Sequence, residues 1–226
     1  MSELNVASMR RQQFILGWLC TLLPFISLGF GLIGHFVGCN PEHWWYSISA
    51  TYYSNSGIIM IGLLTATTIY FWSYHGYDKI DDWITKLCAG FSFIVVAFPC
   101  NIYSYDSMDV FNPVGLFCIP AILSQFVHCI AAACLYITFG IMMIRFRKSS
   151  GTMTKMKKVR NVIYLIFFII LISCGVLIFL KDRCHWPGYT TIIIEIIAQL
   201  SFGLSWLIKS EAFKFLNDKE LVKEAE

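Results

Sequence analysis

The chain has 226 residues, 57% hydrophobic and only 14% charged, with a net charge of +3. Soluble domains carry about 25% charged residues, so this composition excludes a water-covered globular protein and gives no basic surface for nucleic acid. The apolar residues fall in runs near the ~20 residues needed to cross a ~30 Å hydrocarbon layer, which predicts an integral membrane protein.

Residues 1–13 are polar and read as a cytoplasmic amino-terminal segment, with Arg10 and Arg11 just before the first apolar run. That run, 14–38, is longer than the ~7–15 residues of a signal-peptide core and reads as a retained span. Its Gly34 and Gly38 have the small-xxx-small spacing that suits close helix packing. The connection that follows packs aromatics, hydroxyls, one carboxylate and one imidazole into residues 41–56, with Glu42, His43, Trp44, Trp45, Ser47, Ser49, Tyr52 and Tyr53 close together. Further spans are predicted at 57–74, 84–101, 116–144, 161–180 and 189–208. The expectation is an all-α, six-helix transmembrane bundle over 14–208, multi-pass in the cell membrane, with a cytoplasmic carboxy-terminal tail over 209–226.

Orientation follows from lysine and arginine, which accumulate on the cytoplasmic side of membrane proteins. With both termini inside, the inner side holds Arg10, Arg11, Lys79, Lys86, the basic 145–160 connection and Lys209, whereas the outer connections keep only Lys181 and Arg183. The 39–56 connection is then outside. The 145–160 segment reads as a topology determinant that also meets anionic headgroups. Asp81 and Asp82 open the third span and read as helix caps rather than a cation site. Cys39, Cys100, Cys118 and Cys184 lie near outer span ends, where either disulfides or free thiols fit.

Phosphate-binding loops, HExxH zinc motifs and nucleophile elbows are absent, and no cofactor or metal is expected. What remains is a few polar groups within spans. Glu195 lies fourteen positions before Lys209 and His128 seventeen before Arg145, about 21 Å and 25 Å at ~1.5 Å per residue, so both fall in the outer half. A charged group in hydrocarbon costs at least ~2.5–3.5 kcal/mol, so Glu195 needs a partner, and His128 is the natural one. Gln199 lies one turn from Glu195, and Gln125 one turn from His128. His35 could join them. The expected site is an outward pocket of His128, Glu195, Gln199 and Gln125 under Glu42, Ser47, Ser49, Tyr52 and Tyr53. The plainer alternatives are interhelical hydrogen bonds and an aromatic interface belt that includes Trp44 and Trp45.

Ser47-Ile-Ser-Ala-Thr-Tyr-Tyr53, Gly76-Tyr-Asp78, Phe98-Pro99, His128 and Phe202-Gly-Leu-Ser-Trp-Leu-Ile-Lys209 stand in an order that resembles a bacterial six-helix membrane family, domain of unknown function 998. A serine-rich first outer loop also resembles, more distantly, the Frag1/DRAM-type membrane proteins. The nearer resemblance implies a six-helix fold and implies no activity.

The expected function is non-enzymatic binding of a membrane lipid or other amphiphile in the outward pocket. The alternatives are a proton-coupled small-solute transporter relaying through Glu195 and His128, and a lipid-modifying enzyme using His128 with Glu42 or Ser47. Membrane lipids are the expected partners, and a homo-oligomer is compatible with the sequence.

Overall fold

The computed structural model describes residues 3–102, 108–148, 153–181 and 183–218, with the side chains of 3–5 left aside. Six α-helices carry the fold: α1 (Glu3–Phe36), α2 (Gly57–Ser73), α3 (Lys79–Ala97), α4 (Ala121–Phe146), α5 (Lys155–Lys181) and α6 (Thr190–Lys209). Short 3₁₀ turns occur at Ser49–Tyr53, Met108–Phe111 and Lys214–Leu216, and Pro113–Val114 pairs antiparallel with Ile119–Pro120. The class is all-α.

Among the described residues four helices are long and apolar enough to cross a membrane: α1 from Val6 onward, α4, α5 and α6. α2 is apolar but 17 residues long. α3 is 19 residues long and begins with Lys79, Asp81 and Asp82, so its first turns are polar. It starts five residues before the predicted span because Asp78 caps it. The Asp78 carboxylate accepts the backbone N–H groups of Ile80 and Asp81, each at 3.0 Å, satisfying donors that a helix start leaves free. Capping is therefore correct in kind, but the cap is Asp78. Asp82 instead accepts from Gly76 N–H at 2.7 Å and Asp81 from Tyr77 N–H at 3.2 Å, which folds the 74–78 turn onto the helix start.

α1 begins eleven residues before the predicted run, since the polar residues before residue 14 continue the helix. It lies against α6, with Gly17 and Gly203 at the crossing. A Cβ on Gly17 would meet Leu207, and one on Gly203 would meet Thr21. These glycines let the two backbones approach closely. Gly34 does something different from the helix packing expected of it. It makes room for the side chains of Asn40 and Asn55, and Gly38 turns the chain at φ +72°.

The middle of the bundle is aromatic. Phe139 and Phe202 stack at 3.5 Å between centroids, and Phe71, Tyr74, Phe146 and Trp206 surround them at 4.9–6.1 Å in tilted and edge-to-face pairs. Such pairs add about 0.5–1.5 kcal/mol each beyond the area they bury. This plug separates two polar ends. At one, Arg145 at the end of α4 grips Asp78 at 2.6 Å and Asp81 at 2.7 Å, and Lys148 adds a 2.8 Å contact to Asp78. The 145–160 segment thus begins with an ion-pair clamp between α3 and α4. Arg10 pairs with Glu211 at 2.8 Å at the same end. The other end carries the candidate site.

Candidate functional site: a loop held by His128 and Glu195

Pro99 ends α3. A proline pushes the residue before it out of helical geometry, and Phe98 duly sits at φ −121°, ψ 89°. Three successive carbonyls are then turned outward, and each finds a donor from another element. The Phe98 carbonyl is 2.7 Å from His128 Nδ1, Ser124 Oγ donates to the Pro99 carbonyl at 2.7 Å, and Tyr53 OH donates to the Cys100 carbonyl at 2.7 Å. Asn101 N–H donates to Gln125 Oε1 at 2.5 Å, while the Gln125 amide reaches Cys129 Sγ at 3.0 Å. The broken end of α3 is thereby stitched to α4 and to the 39–56 loop.

The carbonyl decides the state of the imidazole. It can only accept, so Nδ1 carries the proton and, in the neutral ring, Nε2 is the acceptor. Nε2 lies 3.0 Å from Ser49 Oγ, which donates to it. His128 is buried, and Ser49 is partly exposed.

Glu195 on α6 reaches the neighbouring loop residue. Its Oε2 accepts the Ile48 N–H at 2.6 Å. The pairing of His128 with Glu195 expected from their matched depth is not formed. Each side chain instead binds one of two consecutive loop residues. Lys181, at the end of α5, donates to Tyr46 OH in the same loop at 2.6 Å, with its ammonium 5.1 Å from the Tyr46 ring centre. Nothing in the local sequence of Lys181 marks it as part of the site; its place beside the outer end of a span was the available signal.

Within the loop, Ser47 Oγ accepts the Ala50 N–H at 2.9 Å and Thr51 Oγ1 donates to the Ile48 carbonyl at 2.6 Å, which holds the 3₁₀ turn. Ser47 is thus a turn-forming residue. Tyr52 packs edge-on against Tyr53 at 5.0 Å, and partial burial pushes its phenol pKa up. Two asparagines pin the loop ends to α1: Asn40 donates to the Gly31 carbonyl at 2.7 Å, and Asn55 donates to the Phe30 carbonyl at 2.9 Å. The Asn40 side-chain oxygen also takes the Asn55 N–H at 2.8 Å.

Three expected members stand apart. Glu42 and His43 are exposed, and among the described residues neither side chain hydrogen-bonds to the site, because the polypeptide turns inward only at Trp44. Gln199 is buried and makes no side-chain hydrogen bond among the described residues. His35 is exposed, its ring 6.3 Å from that of Trp44. The aromatic belt also divides. Trp45 and Trp186 are exposed, whereas Trp44 is only 2% exposed and its indole fills the space over Gly31. All nine cysteines are free thiols, so Cys39, Cys100, Cys118 and Cys184 form no disulfide. Among the described residues no group of His, Cys, Asp and Glu could hold a metal ion.

The arrangement can do two things chemically. It holds a loop shut through one imidazole and one carboxylate, and it presents a serine hydroxyl to a base whose far nitrogen is fixed by a carbonyl. No family model, curated protein or solved structure matches this chain.

Proposed function

We propose that this is a multi-pass protein of the cell membrane, with six spans, that binds a lipid or other amphiphile at its outer face. The observation that carries the reading is that Glu195 and His128, from two different helices, bind the consecutive residues Ile48 and Ser49. The strongest polar groups of the apolar bundle are committed to one loop. Lifting that loop uncovers a carboxyl, an imidazole and several freed backbone groups beside the outer leaflet. Those are the partners a headgroup with donors and acceptors requires, while the surrounding hydrocarbon takes its chains.

Charge distribution supports the orientation. The Arg145 end carries Arg10, Arg11, Lys79, Lys148 and Lys209, and the site end carries Lys181 and Arg183, so the site faces outward. Trp44 Nε1, in the loop itself, is buried without a hydrogen-bond partner among the described residues, a donor that a polar headgroup would satisfy. Three of the five motifs behind the resemblance to domain of unknown function 998 fall here, since Phe98, Pro99, His128 and the 47–53 stretch form one hydrogen-bonded seam, while Gly76-Tyr-Asp78 and Phe202–Lys209 lie elsewhere in the bundle. A transporter fits less well, because the aromatic plug of Phe139, Phe202 and Trp206 fills the path a solute or proton would follow.

Native mass spectrometry of the purified full-length protein, titrated with lysophosphatidylcholine, tests the reading. Wild type retains one bound amphiphile per chain, and the His128→Ala, Glu195→Leu double variant loses it. Equal retention by both would overturn the proposal.

One observation favours a second reading, a lipid-modifying enzyme. Ser49 and His128 meet the geometric requirement for an activated nucleophile, a hydroxyl within hydrogen-bond reach of an oriented base. The nucleophile would be Ser49 rather than Ser47 or Glu42. A fluorophosphonate probe should then label wild type and spare Ser49→Ala; an unlabelled wild type removes this reading.

A further inference from the structure

A second apolar feature runs along α1 from the Arg145 end toward the middle of the bundle. A groove of about 210 Å³ runs between α1 and α2, lined by Phe14, Ile15, Trp18, Leu22 and Ile26 with Leu63 as its far wall. Phe14, Trp18 and Leu22 are exposed. From Phe14 to Ile26 the groove follows twelve residues of α1, about 18 Å at ~1.5 Å per residue. That is close to the ~15 Å depth of one leaflet's hydrocarbon.

The foot of the groove is charged. Arg11 is one turn below Phe14 and Ile15. At about 100° per residue, Ile15, Trp18 and Leu22 all fall within about 40° of the direction of Arg11, which places it on the midline of the apolar stripe. Helical side chains lean toward the amino terminus, so the guanidinium is carried away from the apolar stripe and toward the headgroup level. Arg10 is neutralised by Glu211 at 2.8 Å. Arg11 is exposed and makes no ion pair among the described residues. Its level is set by neighbours in the Arg145 end: Gln13 donates to Tyr74 OH at 2.8 Å, just past the end of α2.

We infer that the α1–α2 groove is a binding site for an anionic phospholipid of the cytoplasmic leaflet, with one acyl chain in the groove and the phosphate on Arg11. Charge complementarity and depth select the occupant. The lining is hydrocarbon for a full leaflet depth, and a single unpaired guanidinium stands where the phosphate of that leaflet lies. Arginine suits the role because its planar fork meets two phosphate oxygens at once. The inference uses the membrane orientation proposed above but not the outer-face site, so either can fail alone.

The test is native mass spectrometry of the full-length protein exchanged into equal dioleoylphosphatidylglycerol and dioleoylphosphatidylcholine. Wild type retains phosphatidylglycerol at least fivefold over phosphatidylcholine. Arg11→Gln brings the ratio to about one, Arg11→Lys keeps part of the preference, and Leu22→Trp, which fills the groove, lowers retention of both lipids. Arg11 and Leu22 are both exposed, so thermal melts of these variants should match wild type and separate lost binding from lost folding. A wild-type ratio of one, an Arg11→Gln ratio equal to wild type, or a lipid-free dimer in place of the lipid-bound monomer would overturn the inference. The last would assign the groove to a second copy of the chain.

Discussion

His128 accepts the hydroxyl of Ser49 at 3.0 Å because its other nitrogen is committed to the Phe98 carbonyl at 2.7 Å. One side chain on α4 thus joins the broken end of α3 to the 3₁₀ turn of the loop. Removing it leaves the part-buried Phe98 carbonyl without its donor. His128→Ala should lower stability by about 1–3 kcal/mol, the cost of an orphaned buried polar group. His128→Asn, which retains a donor near the Phe98 carbonyl but is too short to reach Ser49, should lose less. Thermal unfolding in detergent, compared across the three proteins, checks the order.

Glu195 acts on the loop through an oxygen, and a glutamine side chain has one too. Glu195→Gln should therefore preserve the Ile48 contact and change stability little, whereas Glu195→Leu leaves the Ile48 N–H without an acceptor. Amide hydrogen exchange over residues 44–56 should quicken by about tenfold in Glu195→Leu, equivalent to ~1.4 kcal/mol of local opening, and stay near wild type in Glu195→Gln. Equal exchange in the two variants would show that the carboxyl does not hold the loop.

Asp78 titrates outside the apolar segments. The Lys148 ammonium, the Asp81 backbone N–H and the Arg145 guanidinium together hold its carboxyl well below the usual carboxylate range. A depressed folded-state pKa stabilises the fold above the unfolded value, about 3.9, and that contribution fades as pH falls through and below it. The melting temperature should be insensitive to Asp78 near neutrality and fall in acid. Asp78→Asn, which keeps a capping oxygen but not the charge, should be less stable at neutral pH and show a flatter acid limb. Melting curves between about pH 3 and 7 distinguish the two proteins.

Gly31 is the floor on which Trp44 lies, and a Cβ there would run into the indole. Gly31→Ala should destabilise the loop end by about 1–3 kcal/mol through overpacking. Trp44→Leu should recover part of that loss in the double variant, since the two residues touch. A double-mutant cycle on thermal stability measures the coupling, and strict additivity would contradict the packing.

The helices were legible as apolar runs, but their ends were not. Apolar length reports the depth of a hydrocarbon layer, whereas α1 continues through Arg10, Arg11 and Gln13 and α3 through Asp81 and Asp82, where polar residues form helix equally well. The site was half legible. Depth arithmetic put His128 and Glu195 at one end, beside the correct loop. Ser49, the side-chain partner of His128, was among the expected residues, but the other two partners are backbone groups, the Phe98 carbonyl and the Ile48 N–H, and a sequence displays side chains. Pro99 was the one written sign that carbonyls would be freed there. Trp44 misled for a related reason: interface tryptophans and buried ones look alike until the glycine beneath them, Gly31, is known to face them. The Arg145 clamp was hidden in a segment whose many charges also serve orientation.

We propose that the 44–56 loop, held by His128 and Glu195, is a cover displaced when an amphiphile enters. Amide hydrogen exchange across 44–56, in nanodiscs with and without saturating lysophosphatidylcholine, tests it most directly. In wild type the amphiphile should quicken exchange at Ile48, Ser49 and Ala50 by about tenfold or more, and His128→Ala with Glu195→Leu should be fast in both conditions. Identical wild-type exchange with and without the amphiphile would contradict it.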